Sequence, residues 1–109
     1  MRNSETPASK PLLQQLKAAS CAIRLRILDD LKRPRDNFPP QVDGDLVTDG
    51  VCADFIREKL GIAAATASRH LTLLTDAGFL IATRKKGWTF YRRDEAAITA
   101  FVERLGSEL

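Results

Sequence analysis

Gly61 lies between two segments with helical periodicity, and this arrangement constrains the fold more than any other feature of the chain. Glycine accepts the left-handed backbone that commonly ends a helix, so we expect the first segment to end there. The second segment runs from Ala63 to Ala77 and is closed by Gly78. The apolar positions on the two expected helical faces are Phe55, Ile56, Leu60, Ala67, Leu71 and Leu74. Two helices joined by so short a turn are typical of a helix-turn-helix unit.

A basic hairpin is expected directly after this pair of helices. Two β-prone segments, Phe79 to Thr83 and Trp88 to Arg93, flank the dipeptide Lys86-Gly87. This dipeptide suits a tight turn because glycine accepts a positive φ. Five basic residues lie within a stretch of ten in the hairpin, namely Arg84, Lys85, Lys86, Arg92 and Arg93. A basic hairpin after a helix-turn-helix predicts a winged helix.

Helical periodicity also extends to both sides of this central unit. On the N-terminal side, Pro11 suits the first turn of one helix, and a second helix runs from Cys21 to Lys32 until Pro34 stops it. After the hairpin, Asp94 is a candidate N-cap for a last helix. The predicted fold class is mainly α with a small sheet, a winged helix-turn-helix in the order α-α-(loop)-α-α-β-β-α.

A long loop over residues 33–50 separates the second helix from the helix-turn-helix. It carries three prolines and two glycines, and Leu46 to Thr48 form a candidate short strand. A loop of this length in a small domain is either functional or a tolerated surface insertion. We expect one DNA-binding and dimerisation domain over residues 10–109, preceded by a flexible tail over residues 1–9.

Charge is distributed in blocks, although the net charge of the 109 residues is only +3. Residues 57–93 include eight basic and two acidic residues, whereas residues 36–56 include five acidic residues and no basic one. Such a basic block predicts one surface that faces a polyanion. We expect a cytoplasmic protein with no membrane partner, because the sequence has neither an apolar stretch long enough to cross a bilayer nor a secretory signal.

The outward face of the second helix of the pair carries small and polar residues, which suit a helix that enters a DNA groove. Arg69 is the best candidate for a bidentate contact to guanine, while Thr66 and Ser68 can donate to bases or phosphates. An ordinary amphipathic helix with a solvated face is the alternative interpretation. The candidate DNA-binding residues on this helix and the hairpin are Ala64, Ala65, Thr66, Ser68, Arg69, His70, Thr72, Arg84, Lys85, Lys86 and Arg92.

Three motifs occur in order along the chain: RLRIL at residues 24–28, LGIAAATASRHL at residues 60–71 and GWTFYR at residues 87–92. Together they resemble the ArsR/SmtB family of winged-helix transcriptional repressors, and the resemblance covers roughly residues 12–105. One departure is that Ala63, Ala64 and Ala65 stand where the family often has Ser and Gln. This removes an expected helix cap and two polar base contacts.

The resemblance implies a homodimer that binds double-stranded DNA at an operator with two-fold symmetry. Its recognition helices would lie in successive major grooves about 34 Å apart. The resemblance also implies that an effector, which the sequence does not identify, lowers operator affinity. The first and last helices would form the dimer interface, with Leu12, Leu13, Leu16, Ile98, Phe101, Val102 and Leu105 as its candidate residues.

The metal sites known in this family do not carry over to this sequence. The family's Cys-x-Cys pair aligns with Val51 and Ala53 of this chain. The last helix holds no histidine for the zinc type of site. We therefore expect neither a metal nor another cofactor. Cys21 and Cys52 form a candidate thiol switch, and inert buried cysteines are the alternative.

The sequence favours a transcriptional repressor over other classes of protein. We expect no enzyme, because the chain shows neither a nucleophile–base pair nor a phosphate-binding loop and His70 is its one histidine. Two alternatives stay open: a winged-helix module that binds protein instead of DNA, and a repressor that responds to thiol oxidation through its two cysteines.

Overall fold

The computed structural model describes residues 10–109, which form six helices and three strands. The expected tail over residues 1–9 lies outside the described residues. The helices are α1 (Leu12–Ala19), α2 (Ala22–Asp30), α3 (Pro34–Asn37), α4 (Ala53–Leu60), α5 (Ala64–Asp76) and α6 (Glu95–Glu108), and the strands are β1 (Val51–Cys52), β2 (Leu80–Lys85) and β3 (Trp88–Arg93). The predicted fold class, a mainly α winged helix-turn-helix, is confirmed.

A single apolar core joins the helices. Ile27 of α2, Ile56 of α4 and Leu71 of α5 are almost completely buried in it. Burial of each such side chain contributes on the order of 1.5–3 kcal/mol. Phe101 of α6 packs edge-on against Phe79, with ring centroids 5.0 Å apart. This packing leaves the opposite face of α5 in solvent.

The turn between α4 and α5 has the expected glycine geometry. Gly61 adopts a φ of 69°, and its N–H donates to the carbonyl of Glu58 while the N–H of Ile62 donates to that of Arg57, both at 3.2 Å. These paired bonds satisfy carbonyls that the helix end would otherwise leave free. The backbone thus turns sharply enough for α5 to pack across α4.

Strands β1, β3 and β2 form an antiparallel sheet in that order. The β2–β3 hairpin, called the wing below, turns at Lys86 (φ 54°) and Gly87 (φ 80°). Positive φ at both positions matches the right-handed twist of the strands, and the predicted tight turn is confirmed. Strand β1 was not predicted, since two residues are too few to show an alternating pattern.

The predictions for residues 33–50, called the insertion below, require two corrections. Pro34 does not stop α2, which already ends at Asp30; it begins α3, where its fixed φ and missing N–H suit a first helical position. Residues 46–48 are a turn and not a strand. The carboxylate of Asp45 accepts the N–H groups of Val47 and Thr48 at 2.9 and 2.8 Å, so these amides are not available to a strand ladder.

The insertion packs against the sheet. The side chain of Gln41 accepts the N–H of Cys52 at 2.7 Å and donates to the carbonyl of Gly50 at 2.9 Å. Gly44 lies so close to the wing that an added Cβ would be 2.7 Å from the ring of Phe90. The insertion therefore covers the sheet face that carries Phe90 and Cys52.

Candidate nucleic-acid interface

Helix α5 presents one exposed face beside its buried one. Ala67, Leu71 and Leu74 are buried in the core, as their spacing predicted. The predicted DNA-binding residues of α5 that are exposed to solvent are Ala64, Ala65, Thr66, Ser68, Arg69 and Thr72. The fold therefore leaves these six side chains accessible on the second helix of the helix-turn-helix.

The N-terminus of α5 has no side-chain cap. Ala63 occupies the N-cap position, and its methyl side chain accepts no hydrogen bond from the first turn. Ala64, Ala65 and Thr66 in that turn are all exposed. Because the first N–H groups of a helix lack partners within it and carry partial positive charge, they can bind the oxygens of a phosphate.

His70 faces α2 and is partly buried. The Nη1 of Arg24 lies 3.0 Å from its Nδ1, while the same guanidinium donates to the carbonyls of Ala18 at 2.7 Å and Lys17 at 3.1 Å. Burial lowers the pKa of His70, and the charges of Arg24 and Arg69 lower it further. We therefore do not include His70 among the residues proposed to contact DNA bases.

The tip of the wing is basic and contacts the acidic insertion. Arg84, Lys85 and Lys86 are exposed there. The Nζ of Lys85 lies 3.2 Å from the Oδ2 of Asp49, and the Nζ of Lys86 lies 4.0 Å from the Oδ1 of Asp43. The sequence did not indicate these contacts, because they join segments about forty residues apart.

Asp49 is held in place for its contact with the wing. The backbone N–H of Asp45 donates to the Oδ2 of Asp49 at 2.8 Å. This hydrogen bond and the ammonium of Lys85 lower the pKa of Asp49. The carboxylate therefore stays charged near neutral pH and partly neutralises the wing tip.

Arg92 lies towards the base of the wing, away from its tip. It pairs with Ile81 across the hairpin, beside Leu46 and Val47 of the insertion. Its Nε is buried without a hydrogen-bond partner among the described residues. We leave Arg92 out of the proposed interface, because the insertion flanks it.

Comparison with known proteins agrees with this geometry. No protein-family model matches the sequence. The chain is 40% identical over 97 residues to the uncharacterized HTH-type transcriptional regulator YbzH of Bacillus subtilis (strain 168), which covers 89% of this chain and 97% of that protein. The chain belongs to the helix-turn-helix transcriptional regulators.

Two solved structures share the fold of this regulator. One is an ArsR-like transcriptional regulator from Rhodococcus sp. RHA1, with a TM-score of 0.62 and 21% identity, covering 89% of this chain and 80% of that one. The other is a possible transcriptional regulatory protein (fragment 1–100) from Mycobacterium bovis, with a TM-score of 0.61 and 23% identity, covering 90% and 91%. The likeness in fold to an ArsR-like regulator, which the sequence predicted, is confirmed.

The residues predicted for a dimer interface differ in their exposure to solvent. Leu13 and Val102 are 62% and 59% exposed in the regulator. Phe101 is buried within the chain against Phe79. Leu25 of α2, which was not predicted, is exposed and lines the same shallow groove as Val102. The partly buried predicted residues, packed against the core, are Leu12, Leu16, Ile98 and Leu105.

Cys21 and Cys52 of the regulator are both free thiols. Cys52 is buried, whereas Cys21 is partly exposed at the N-cap of α2. The backbone N–H of Arg24 lowers the pKa of the Cys21 thiol. Within residues 10–109, no three His, Cys, Asp or Glu side chains are grouped closely enough to hold a metal ion. No helix in that range is long and apolar enough to span a membrane.

Proposed function

We propose that this regulator is a repressor that binds a two-fold symmetric DNA operator as a homodimer, with α5 in the major groove. The observation that carries the proposal is the exposed face of α5, where Thr66, Ser68 and Arg69 stand beside a helix N-terminus without a side-chain cap. Its relative YbzH bears the name of an HTH-type transcriptional regulator, which supports the same function.

Arg69 is assigned the main base contact. Its guanidinium can donate two hydrogen bonds to the O6 and N7 of one guanine, a pairing that discriminates against other bases by about 1–3 kcal/mol. The methyl groups of Ala64 and Ala65 allow close approach and can contact thymine methyls. Thr66, Ser68 and Thr72 supply hydroxyls for bases or for the flanking phosphates.

The wing tip is assigned to the DNA backbone. Arg84, Lys85 and Lys86 can each neutralise a phosphate, which adds affinity for any DNA and makes binding depend on salt. These three basic residues lie on the hairpin that follows α5 in the chain, so helix and wing can contact neighbouring stretches of one duplex.

The dimer would form through α1, α2 and α6. Leu13, Leu25 and Val102 are large exposed apolar side chains on these helices, and burying them between two copies would favour association. The Nη1 of Arg104 donates to the carbonyl of Lys10 and the Oε1 of Gln15, which joins α6 to the α1 region. Helices α1 and α6 would therefore enter such an interface as one unit.

The test is fluorescence anisotropy with a labelled duplex from the region upstream of the regulator's own gene and a scrambled duplex of equal composition. We expect Arg69→Ala to weaken binding to the upstream duplex by roughly 5- to 150-fold and binding to the scrambled duplex much less. Arg33→Ala, which removes an exposed arginine outside the proposed interface, is the matched control. Equal affinity of the unaltered regulator for both duplexes would contradict the proposal, and no binding to either would favour the protein-binding alternative.

The homodimer is tested separately by sedimentation velocity over a range of concentrations. We expect Val102→Asp to shift the regulator towards monomer, because a charge would be buried at the interface. Val42→Asp, which alters an exposed valine of the insertion, should leave association unchanged. A monomeric unaltered regulator at micromolar concentration would refute the dimer.

A further inference from the structure

A cavity of about 370 Å³ lies between the insertion and the wing. The wing contributes Trp88 and Phe90, and α4 contributes Phe55. The complete lining is Pro40, Gln41, Val42, Asp43, Cys52, Phe55, Trp88 and Phe90. The proposed function uses none of these residues.

The walls of this cavity are held in place by hydrogen bonds and close packing. Gln41 is fixed by its two hydrogen bonds to the backbone of Cys52 and Gly50. Phe90 and Cys52 are buried within the chain. A ligand would therefore meet a formed site, which lowers the ordering cost of binding.

The mouth of the cavity exposes apolar surface. Trp88 is 45% exposed and Val42 is 99% exposed, although both side chains are apolar. The volume falls within the range of small-molecule sites, whereas a stable protein interface needs about 800 Å² on each partner. A cavity of about 150 Å³ holds benzene, so this one has room for two fused rings.

The chemistry of the lining selects a cation. Three aromatic rings, from Phe55, Trp88 and Phe90, border the space, and aromatic faces attract ammonium groups. Asp43 is the one residue of the lining with a formal charge at neutral pH. In the fold it forms a loose ion pair with Lys86, at 4.0 Å, so a bound cation would share this carboxylate with the lysine ammonium.

We propose that this cavity binds a small aromatic cation, an amine or quaternary ammonium compound of one or two rings. The ring system packs against Phe55, Phe90 and Trp88, and the cationic group lies beside Asp43. The binding energy comes from apolar burial, cation–π attraction and the carboxylate charge. The proposal stands apart from DNA binding and is tested without DNA.

Three probes with the same rings and different charge test the site. They are (2-naphthylmethyl)trimethylammonium, the neutral 2-naphthalenemethanol and the anionic 2-naphthylacetate, each titrated into the full chain by isothermal titration calorimetry. We expect the cation to bind about ten-fold more tightly than the neutral probe, and the anion most weakly. Amide chemical shifts should change at residues 41–43, 52, 55 and 88–90.

Two variants test whether residues that line the cavity cause the preference for the cationic probe. Asp43→Asn should reduce the affinity for the cation to about that for the neutral probe, while affinity for the neutral probe is retained. Asp49→Asn is the matched control, since it removes a carboxylate of the same insertion that does not line the cavity. Trp88→Leu should weaken binding of the cation about three- to ten-fold.

The proposal is overturned if none of the probes binds at millimolar concentration or if the anion binds as tightly as the cation. It is also overturned if the shift changes map to another surface or if Asp43→Asn keeps the preference for the cation. Because these titrations contain no DNA, their outcome is independent of whether the regulator binds an operator.

Discussion

The Nη1 of Arg24 lies 3.0 Å from the Nδ1 of His70 and links α2 to α5. A guanidinium can only donate hydrogen bonds, so Nδ1 must be the acceptor and the imidazole must carry its proton on Nε2. This geometry requires a neutral His70. A second proton would place one positive charge against another.

We therefore predict that acid weakens the fold through His70. Its pKa is lowered in the folded state, whereas the unfolded side chain has a pKa of about 6.5. As the pH falls from about 7.5 to 5, the unfolded chain binds more protons than the folded one, and the free energy of unfolding decreases. Urea denaturation at several pH values measures this change.

His70→Gln is the control for this prediction, because glutamine does not titrate in this range. The variant should show a flatter pH dependence than the unaltered protein. The same slope in both proteins would show that His70 does not control acid stability.

The double variant Lys85→Ala/Lys86→Ala should weaken all DNA binding alike. The two lysines bind phosphates in the proposed complex, so removing them leaves the preference for the operator over scrambled DNA unchanged. The slope of log binding constant against log salt concentration should become shallower by about 0.9 for each phosphate that the bound dimer no longer neutralises. Arg33→Ala is again the control, and a reduced sequence preference in the double variant would contradict this assignment.

Gly44→Ala should destabilise the fold by about 1–3 kcal/mol, the usual cost of overpacking. The new methyl would lie 2.7 Å from the buried ring of Phe90, closer than a Cβ approaches a ring carbon, so the ring or the insertion backbone would have to shift. Urea denaturation provides the measurement. In Gly106→Ala the methyl on α6 meets nothing within 4 Å, so this control should be neutral or stabilising. An unaffected Gly44→Ala would show that the insertion is not packed on the wing.

Cys21 should react with iodoacetamide faster than Cys52 at pH 7.5. It is partly exposed and the pKa of its thiol is lowered, whereas Cys52 is buried beneath the insertion. Mass spectrometry of the alkylated peptides after short reaction times gives both rates. Equal rates would contradict the described burial and would leave both thiols as candidates for a switch.

Local signals made much of the fold predictable from the sequence. The end of α4 follows from the conformational freedom of Gly61, and the wing turn follows from that of Gly87. The start of α6 follows from Asp94, whose Oδ1 accepts the N–H of Ala97 at 3.0 Å. The exposed face of α5 was predictable because helical periodicity separates it from Leu71 and Leu74.

Long-range contacts account for what the sequence did not predict. Strand β1 exists because Val51 pairs with Tyr91, forty residues further along the chain. The ion pair of Asp49 with Lys85 and the contact of Arg24 with His70 likewise join distant segments. The residues flanking each partner in the sequence do not indicate its distant contact, so neither the position of the insertion nor the cavity beneath it has a local signature.

The uncapped start of α5 has a consequence for the order of events in DNA recognition. A side-chain cap contributes on the order of 0.5–2 kcal/mol to a helix, and Ala63 supplies none. The first turn of the free helix is therefore easily frayed. In the proposed complex a DNA phosphate would accept those amides instead, so the operator would complete the helix that reads it, and amide hydrogen exchange at residues 64–66 would slow on binding.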